Sequence, residues 1–140
     1  MEVVLIDDQA VSVQVYAAIV RRAFSGARVR IAVDLTEGMQ LAVHHNAELV
    51  LLDLMLQNST GAQTLHKFRK GCPNIPVLVV AATEDTATIR ACLKAGAVGY
   101  VPKVSAVQTL RTALETVAAG KLYIPPEARL PDLKPAANGG

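Results

Sequence analysis

Four short apolar runs restrict the folds open to this chain: Val3 to Ile6, Val29 to Val33, Leu49 to Leu52 and Val77 to Val80. Three of them are unbroken, as strands buried on both faces of a parallel sheet are. The second alternates instead, with Arg28, Arg30 and Ala32 between Val29, Ile31 and Val33. A period of two predicts a strand with one wetter face, at an edge of the sheet. A weaker fifth strand is Gly99-Tyr100-Val101.

Helical stripes separate the runs. Val11, Val15, Ala18, Ile19 and Arg22 form the first; Leu35, Met39, Ala42 and Val43 the second. Asp34 is placed to cap the second, with Glu37 three residues on. Ala62, Leu65 and Phe68 follow Ser59-Thr60, and Ile89, Cys92, Leu93 and Gly96 follow a cap at Asp85 or Thr86. The fifth stripe is Val107, Leu110, Ala113, Leu114 and Val117. Ser105 and Gln108 offer it a capping box, and Gly120 a C-terminal stop. The order is βα five times over, and parallel strands are joined by right-handed crossovers. Five units are too few for a barrel, so the expectation is an open α/β sheet with helices on both faces. The common strand order at this size is 2-1-3-4-5, a flavodoxin-like (βα)5 arrangement with the alternating strand at an edge.

The length of 140 residues suits one domain. Four of the seven prolines fall at Pro125, Pro126, Pro131 and Pro135, so the division expected is a domain over 1–120 and a linker or tail over 121–140. With 14 basic and 12 acidic residues and no basic run beyond Arg21-Arg22, a nucleic-acid surface on this chain is not expected. No apolar run approaches the eighteen residues of a membrane span. Cys72 and Cys92 stand twenty residues apart with no Cys-x-x-Cys, which reads as two reduced thiols in a cytoplasmic protein.

Ligands of an open α/β sheet bind at the carboxyl ends of its strands, beside the switch point. Asp7 and Asp8 follow the first strand, Asp53 the third, Ala81, Ala82 and Thr83 the fourth, and Lys103 the fifth. Three carboxylates gathered at one edge repel each other unless a cation intervenes. An oxygen-only donor set with room for water suits Mg²⁺. With the metal in place, Asp53 could attack a phosphoryl group and Lys103 could pair with its oxygens. Any one of these aspartates alone would read as a helix cap or a solvated loop residue. Adjacent His44 and His45 point apart on a helix and do not chelate, His66 stands alone, and Cys72 precedes Pro73 in a loop.

The pieces Val-Leu-Ile-Asp7-Asp8, Leu-Leu-Asp53-Leu-Met-Leu with Gly61 eight residues on, and Ala95-Gly-Ala-Val-Gly-Tyr100-Val-Pro-Lys103 resemble the receiver domain of two-component response regulators. The likeness covers residues 1–120. Pro102-Lys103-Val104-Ser105 and the stretch from Gly120 to Tyr123 are most similar to receivers of the LuxR-type transcription-factor family. The resemblance implies a signalling role with Asp53 as phosphoacceptor from a histidine kinase. It implies Mg²⁺ held by Asp8, Asp53 and the Met55 carbonyl, with Asp7 acting through water. Lys103 would contact the phosphoryl group and Tyr100 would be the aromatic that rotates. It further implies regulation of transcription through an effector domain beyond Gly140, and a homodimer through the first or fifth helix.

Two positions depart from the family pattern. Gln57 stands where a proline is usual. Ala81, twenty-two residues before Lys103, stands where a Ser or Thr would bond the phosphoryl oxygen, and Thr83 is a possible substitute. The alternative reading is therefore a pseudo-receiver, an interaction module whose output ignores phosphate. A turnover phosphatase is disfavoured, since Met55 occupies the position where such enzymes carry a second acid/base aspartate. A flavin binder is disfavoured by an aromatic content of 4% without tryptophan.

Overall fold

The computed structural model describes residues 1–129. Five strands form one parallel sheet in the order β2-β1-β3-β4-β5, the common order expected at this size, with the alternating β2 at an edge. They are β1 Glu2–Ile6, β2 Arg28–Ala32, β3 Leu49–Leu52, β4 Val77–Ala81 and β5 Gly99–Pro102. The helices between them are α1 Ala10–Ala23, α2 Leu35–His44, α3 Ala62–Gly71, α4 Thr86–Lys94 and α5 Ala106–Ala118. Strand residues alternate between two cores. Val4, Ile6, Val50, Leu52, Val77, Val79 and Ala81 face α2, α3 and α4, while Val3, Leu5, Leu49, Leu51, Leu78 and Val80 face α1 and α5. Burial on both sides is why the central strands carry no polar residue between their ends.

The edge strand β2 differs from its expected pattern at one end. Ala32, placed by alternation on the wet side, is fully buried in the core beneath α2. Arg28 and Arg30 do reach solvent, where Glu2 pairs with both, at 3.8 and 3.1 Å. The α2 cap is as expected: Asp34 accepts from Glu37 N at 2.8 Å, and Glu37 reaches back to Val33 N at 3.1 Å. Asp85 rather than Thr86 caps α4, accepting from Thr88 N at 3.1 Å. Gly120 ends α5 with φ at +82°.

Three expectations need correction. The buried stripe of α1 is Val13, Tyr16, Ala17 and Val20, and Val11 is 81% exposed. Val11, Val13 and Val15 are spaced by two, so valines fall on opposed helix faces and periodicity alone picks no side. Burying the large Tyr16 ring decides it. At α5, Ala106, Leu110, Ala113 and Leu114 are buried while Val107 is exposed. The capping box there does not form: Lys103–Ser105 make a 3₁₀ turn, and Ser105 Oγ donates to Pro102 O at 3.3 Å instead of capping.

Composition reads everything past Lys121 as linker. Within the described residues the chain stays packed on the domain through Arg129, with Tyr123 and Ala128 buried in the two cores.

Candidate functional site

The candidate site lies at the carboxyl ends of β1, β3 and β5. Parallel pairing of Ile6 with Leu52 sets the next residues of β1 and β3 side by side, which brings Asp7 beside Asp53. Asp53 N donates to Ile6 O at 3.0 Å and fixes that junction. Asp7 and Asp53 are 4% and 3% exposed, Asp8 is exposed, and one carboxylate oxygen of each lies within 4.8 Å of the others.

Lys103 crosses from the end of β5. Its Nζ lies 3.0 Å from Asp7 Oδ2, 3.1 Å from Asp53 Oδ2 and 2.9 Å from Gln9 Oε1. An ammonium has three hydrogens, and all three are directed to acceptors. The other carboxylate oxygens are held by the backbone: Asp7 Oδ1 accepts from Gln9 N at 2.8 Å and Asp53 Oδ1 from Met55 N at 3.1 Å. The Asp8 carboxylate has no hydrogen bond or ion pair among the described residues.

The electrostatics follow from burial. Desolvation pushes the Asp53 carboxyl up; the Met55 N–H and Lys103 pull it back without offsetting this, and Asp7 adds to the rise. Burial penalises the Lys103 ammonium, yet its bonds to Asp7 and the charge of Asp53 outweigh that and raise its pKa. With all carboxylates ionised, three negative charges meet one positive. A divalent cation would balance the remainder, and the donors are hard oxygens suited to Mg²⁺. The residues thus fit a metal of that kind, with Asp8 the open ligand.

The β4 end is different. Ala81 is fully buried, pairs with Pro102 and offers a methyl group only. Thr83 Oγ1 accepts from Asp85 N at 3.2 Å, so this hydroxyl is engaged at the approach to α4. Tyr100 is fully buried, and its hydroxyl donates to Thr83 O at 2.8 Å. Met55 is exposed in the β3–α3 loop, with Gln57 beside it.

Sequence reasoning missed four contributors. Gln9 completes the Lys103 cage; its place directly after Asp7-Asp8 was the available signal. Tyr16 is buried in α1; burial pushes its hydroxyl up, and the charge of Lys103 pulls it partly back. Thr64 Oγ1 lies 2.8 Å from both Leu54 O and Ser59 Oγ. One hydroxyl hydrogen serves one acceptor, so Thr64 donates to Leu54 and Ser59 donates to Thr64. That buried pair holds the loop carrying Met55, and a Thr four residues before the core Phe68 was its signal. The same loop ends at Gly61, whose φ of +63° and ψ of −157° suit glycine. The thiols play no part: both are buried and free, and burial pushes the Cys92 thiol up to about 11. His44 and His45, expected to point apart, instead pack edge to face with ring centroids 4.7 Å apart at the end of α2, because His45 has already left the helix as its C-cap.

A doubly wound α/β sheet with clustered carboxylates and a lysine at its switch point defines the class, and comparison with known proteins agrees. Residues 3–115 match the family described as the response regulator receiver domain, and the chain belongs to that family. The glycerol metabolism activator of Pseudomonas putida is 28% identical over 127 residues, covering 90% of this chain and 58% of that protein. The oxygen regulatory protein NreC of Staphylococcus epidermidis is 29% identical over 125 residues, covering 89% and 57%. The chain thus spans less than two thirds of either relative. The crystal structure of a LuxR-family two-component response regulator from Aurantimonas sp. SI85-9A1 superposes with a TM-score of 0.80 at 26% identity, covering 90% of each chain.

Proposed function

We propose that this receiver is a phosphoacceptor switch in which Asp53 takes a phosphoryl group from the phosphohistidine of a histidine kinase. The carrying observation is a carboxylate 3% exposed at a strand end, 3.1 Å from Lys103 and clustered with two further aspartates. An Asp53 oxygen attacks phosphorus, the P–N bond breaks, and its electron pair leaves with the imidazole. Asp8, Asp53 and the Met55 carbonyl would hold Mg²⁺ directly and Asp7 through water. When bound, Mg²⁺ supplies a Lewis acid that offsets charge on the phosphoryl oxygens. Lys103 turns from Asp53 toward those oxygens, while Gln9 and Asp7 keep its ammonium nearby.

In this reading the chain takes and keeps a phosphoryl group and is not a turnover enzyme, since Met55 supplies no acid/base group beside Asp53. The receiver proper is residues 1–120 with 121–129 packed against it, and the output is regulation of transcription through an effector domain, as the chain spans less than two thirds of the regulators it resembles. DNA contact belongs to that effector. The site of action is the cytoplasm; no helix of the described residues is long and apolar enough to cross a membrane. Homodimerisation uses α1 or α5: Val11 and Val15 are exposed on α1, Val107 on α5 and Val104 in the turn just before it.

Intact-mass measurement after incubation with acetyl phosphate and Mg²⁺ tests the reading. One phosphoryl mass should be gained, and Mg²⁺ alone should raise the melting temperature, a gain that Asp8→Ala removes. An unmodified mass under conditions that label another receiver would overturn it. Sedimentation showing only monomer over a wide concentration range, with and without beryllofluoride, would remove the dimer.

A further inference from the structure

Residues 121–129 are fastened to the molecule at two places. Tyr123 lies beside Gly99 as a parallel bridge. Its N–H donates to Val98 O at 3.0 Å, and its carbonyl accepts from Tyr100 N at 3.2 Å. A Cβ on Gly99 would stand 2.9 Å from Tyr123 Cβ and 3.0 Å from Tyr123 O, so the fit depends on glycine. Farther along, Ala128 is 1% exposed in the same core as Ile89, Cys92 and Tyr100. Thr86 Oγ1, in the first turn of α4, donates to Glu127 O at 3.0 Å. Ala128 N bonds back to Pro125 O at 3.0 Å, and Arg129 Nε donates to Ile124 O, so this last turn is itself closed.

These fastenings converge on the residues around the bare β4 end. Tyr100 is gripped twice: its N–H by Tyr123, and its hydroxyl by Thr83 O at 2.8 Å. Thr83 and Asp85 lead directly into α4, and α4 is tied to Glu127. Ala81 contributes no polar group to this arrangement. The C-terminal segment therefore fixes the Tyr100 backbone and the start of α4, while the Tyr100 ring is held inward by one carbonyl of the β4–α4 loop.

We propose that residues 121–129 act as a latch. While fastened, it keeps Tyr100 and the first turn of α4 in one arrangement whether or not the carboxylate site is filled. Displacing it, by tension on the chain beyond Arg129, frees α4 to respond. Coupling of this kind is reciprocal, so the latch is an input to the site as much as an output from it. The proposal rests on the phosphoacceptor reading for what fills the site.

Amide hydrogen exchange on the whole chain, with and without beryllofluoride and Mg²⁺, tests it. In the parent, the amides of Ile89 and Ala128 should change by less than about twofold on ligation, a shift too small to count as a population switch. Thr86→Val removes the bond to Glu127, and Gly99→Ala crowds Tyr123 together with the Leu78 side chain of β4, each 2.9 Å from the added methyl. Both variants should expose the Ala128 amide without ligand, and ligation should then change exchange at Ile89 by about tenfold or more, the size of an ordinary coupling. Thr86→Ser should restore parent behaviour. A parent whose Ile89 responds as strongly as the variants' would overturn the latch. So would variants with a loosened Ala128 and an unresponsive Ile89, or an Ala128 protected as before in both. If beryllofluoride leaves the melting temperature of every protein unchanged, the phosphoacceptor reading falls and takes the latch with it.

Discussion

Adjacent strands β3 and β4 end at the same edge of the sheet and are equipped differently. β3 ends at Asp53, whose oxygens are held by a backbone N–H and an ammonium, on a loop secured by Thr64 and Ser59. β4 ends at Ala81, whose methyl packs into the core and whose loop is secured by Tyr100 and the C-terminal segment. The first end has what bond formation to phosphorus needs. The second has nothing to grasp the group once it is there. Taking up a phosphoryl group and transmitting its arrival are thus separable in this fold, because they draw on different strand ends.

The largest effect expected is on labelling. Asp53→Asn should abolish phosphorylation by acetyl phosphate, as intact mass would show, while Ala81→Thr should keep its initial rate within about threefold, under 1 kcal/mol of barrier. Equal losses in the two variants would erase the distinction between the strand ends.

Next comes stability at the loops. Thr64→Val strips the donor from a buried carbonyl and leaves Ser59 without its acceptor, so urea unfolding should show a loss of about 1–3 kcal/mol. Thr83→Val removes a partly exposed hydroxyl and should stay within about 0.5 kcal/mol. A larger loss at Thr83 would mean that the β4 loop carries more of the fold than its contacts indicate.

Transmission should change by a comparable amount. A hydroxyl bonded to a charged phosphoryl oxygen contributes roughly 1.5–3 kcal/mol, the size of a typical coupling energy. With the C-terminal segment released by Thr86→Val, backbone NMR shifts around Tyr100 and α4 on adding beryllofluoride and Mg²⁺ should be larger when Ala81→Thr is added than without it. Large, equal shifts in both would show that the β4 end needs no hydroxyl.

The smallest effect is in pH dependence without Mg²⁺. The folded-state pKa of Asp53 is raised, so the folded protein holds that proton more tightly than the unfolded chain. Stability is then lost as pH rises from the ordinary carboxylate range through the raised value. Asp53→Asn should melt higher than the parent at neutral pH, with Asp7 and Gln9 still holding Lys103, and the gap should close in acid. A gap that persists below the ordinary carboxylate range would assign the gain to packing.

Much of this could be read from residue order. Unbroken apolar runs require burial on both faces, so the parallel sheet and the edge position of β2 follow from the pattern, while the strand order rests on the arrangement common to folds of this size and on the family resemblance. Because side chains at strand ends in such a sheet converge, Asp7, Asp8, Asp53 and Lys103 could be placed together before any coordinates. Local signals also sufficed where the partners are three residues apart, as at Asp34 and Glu37. Other features depend on neighbours distant in sequence. Which face of α1 is buried was decided by where the Tyr16 ring fits, since valines lie on both sides. The third acceptor of Lys103 is Gln9, ninety-four residues away, and no local rule pairs them. The prolines after Lys121 suggested a linker, yet the space beside Gly99 and the groove along α4 receive Tyr123 and Ala128. Periodicity reports the burial that each element needs; only packing in three dimensions chooses which distant residue supplies it.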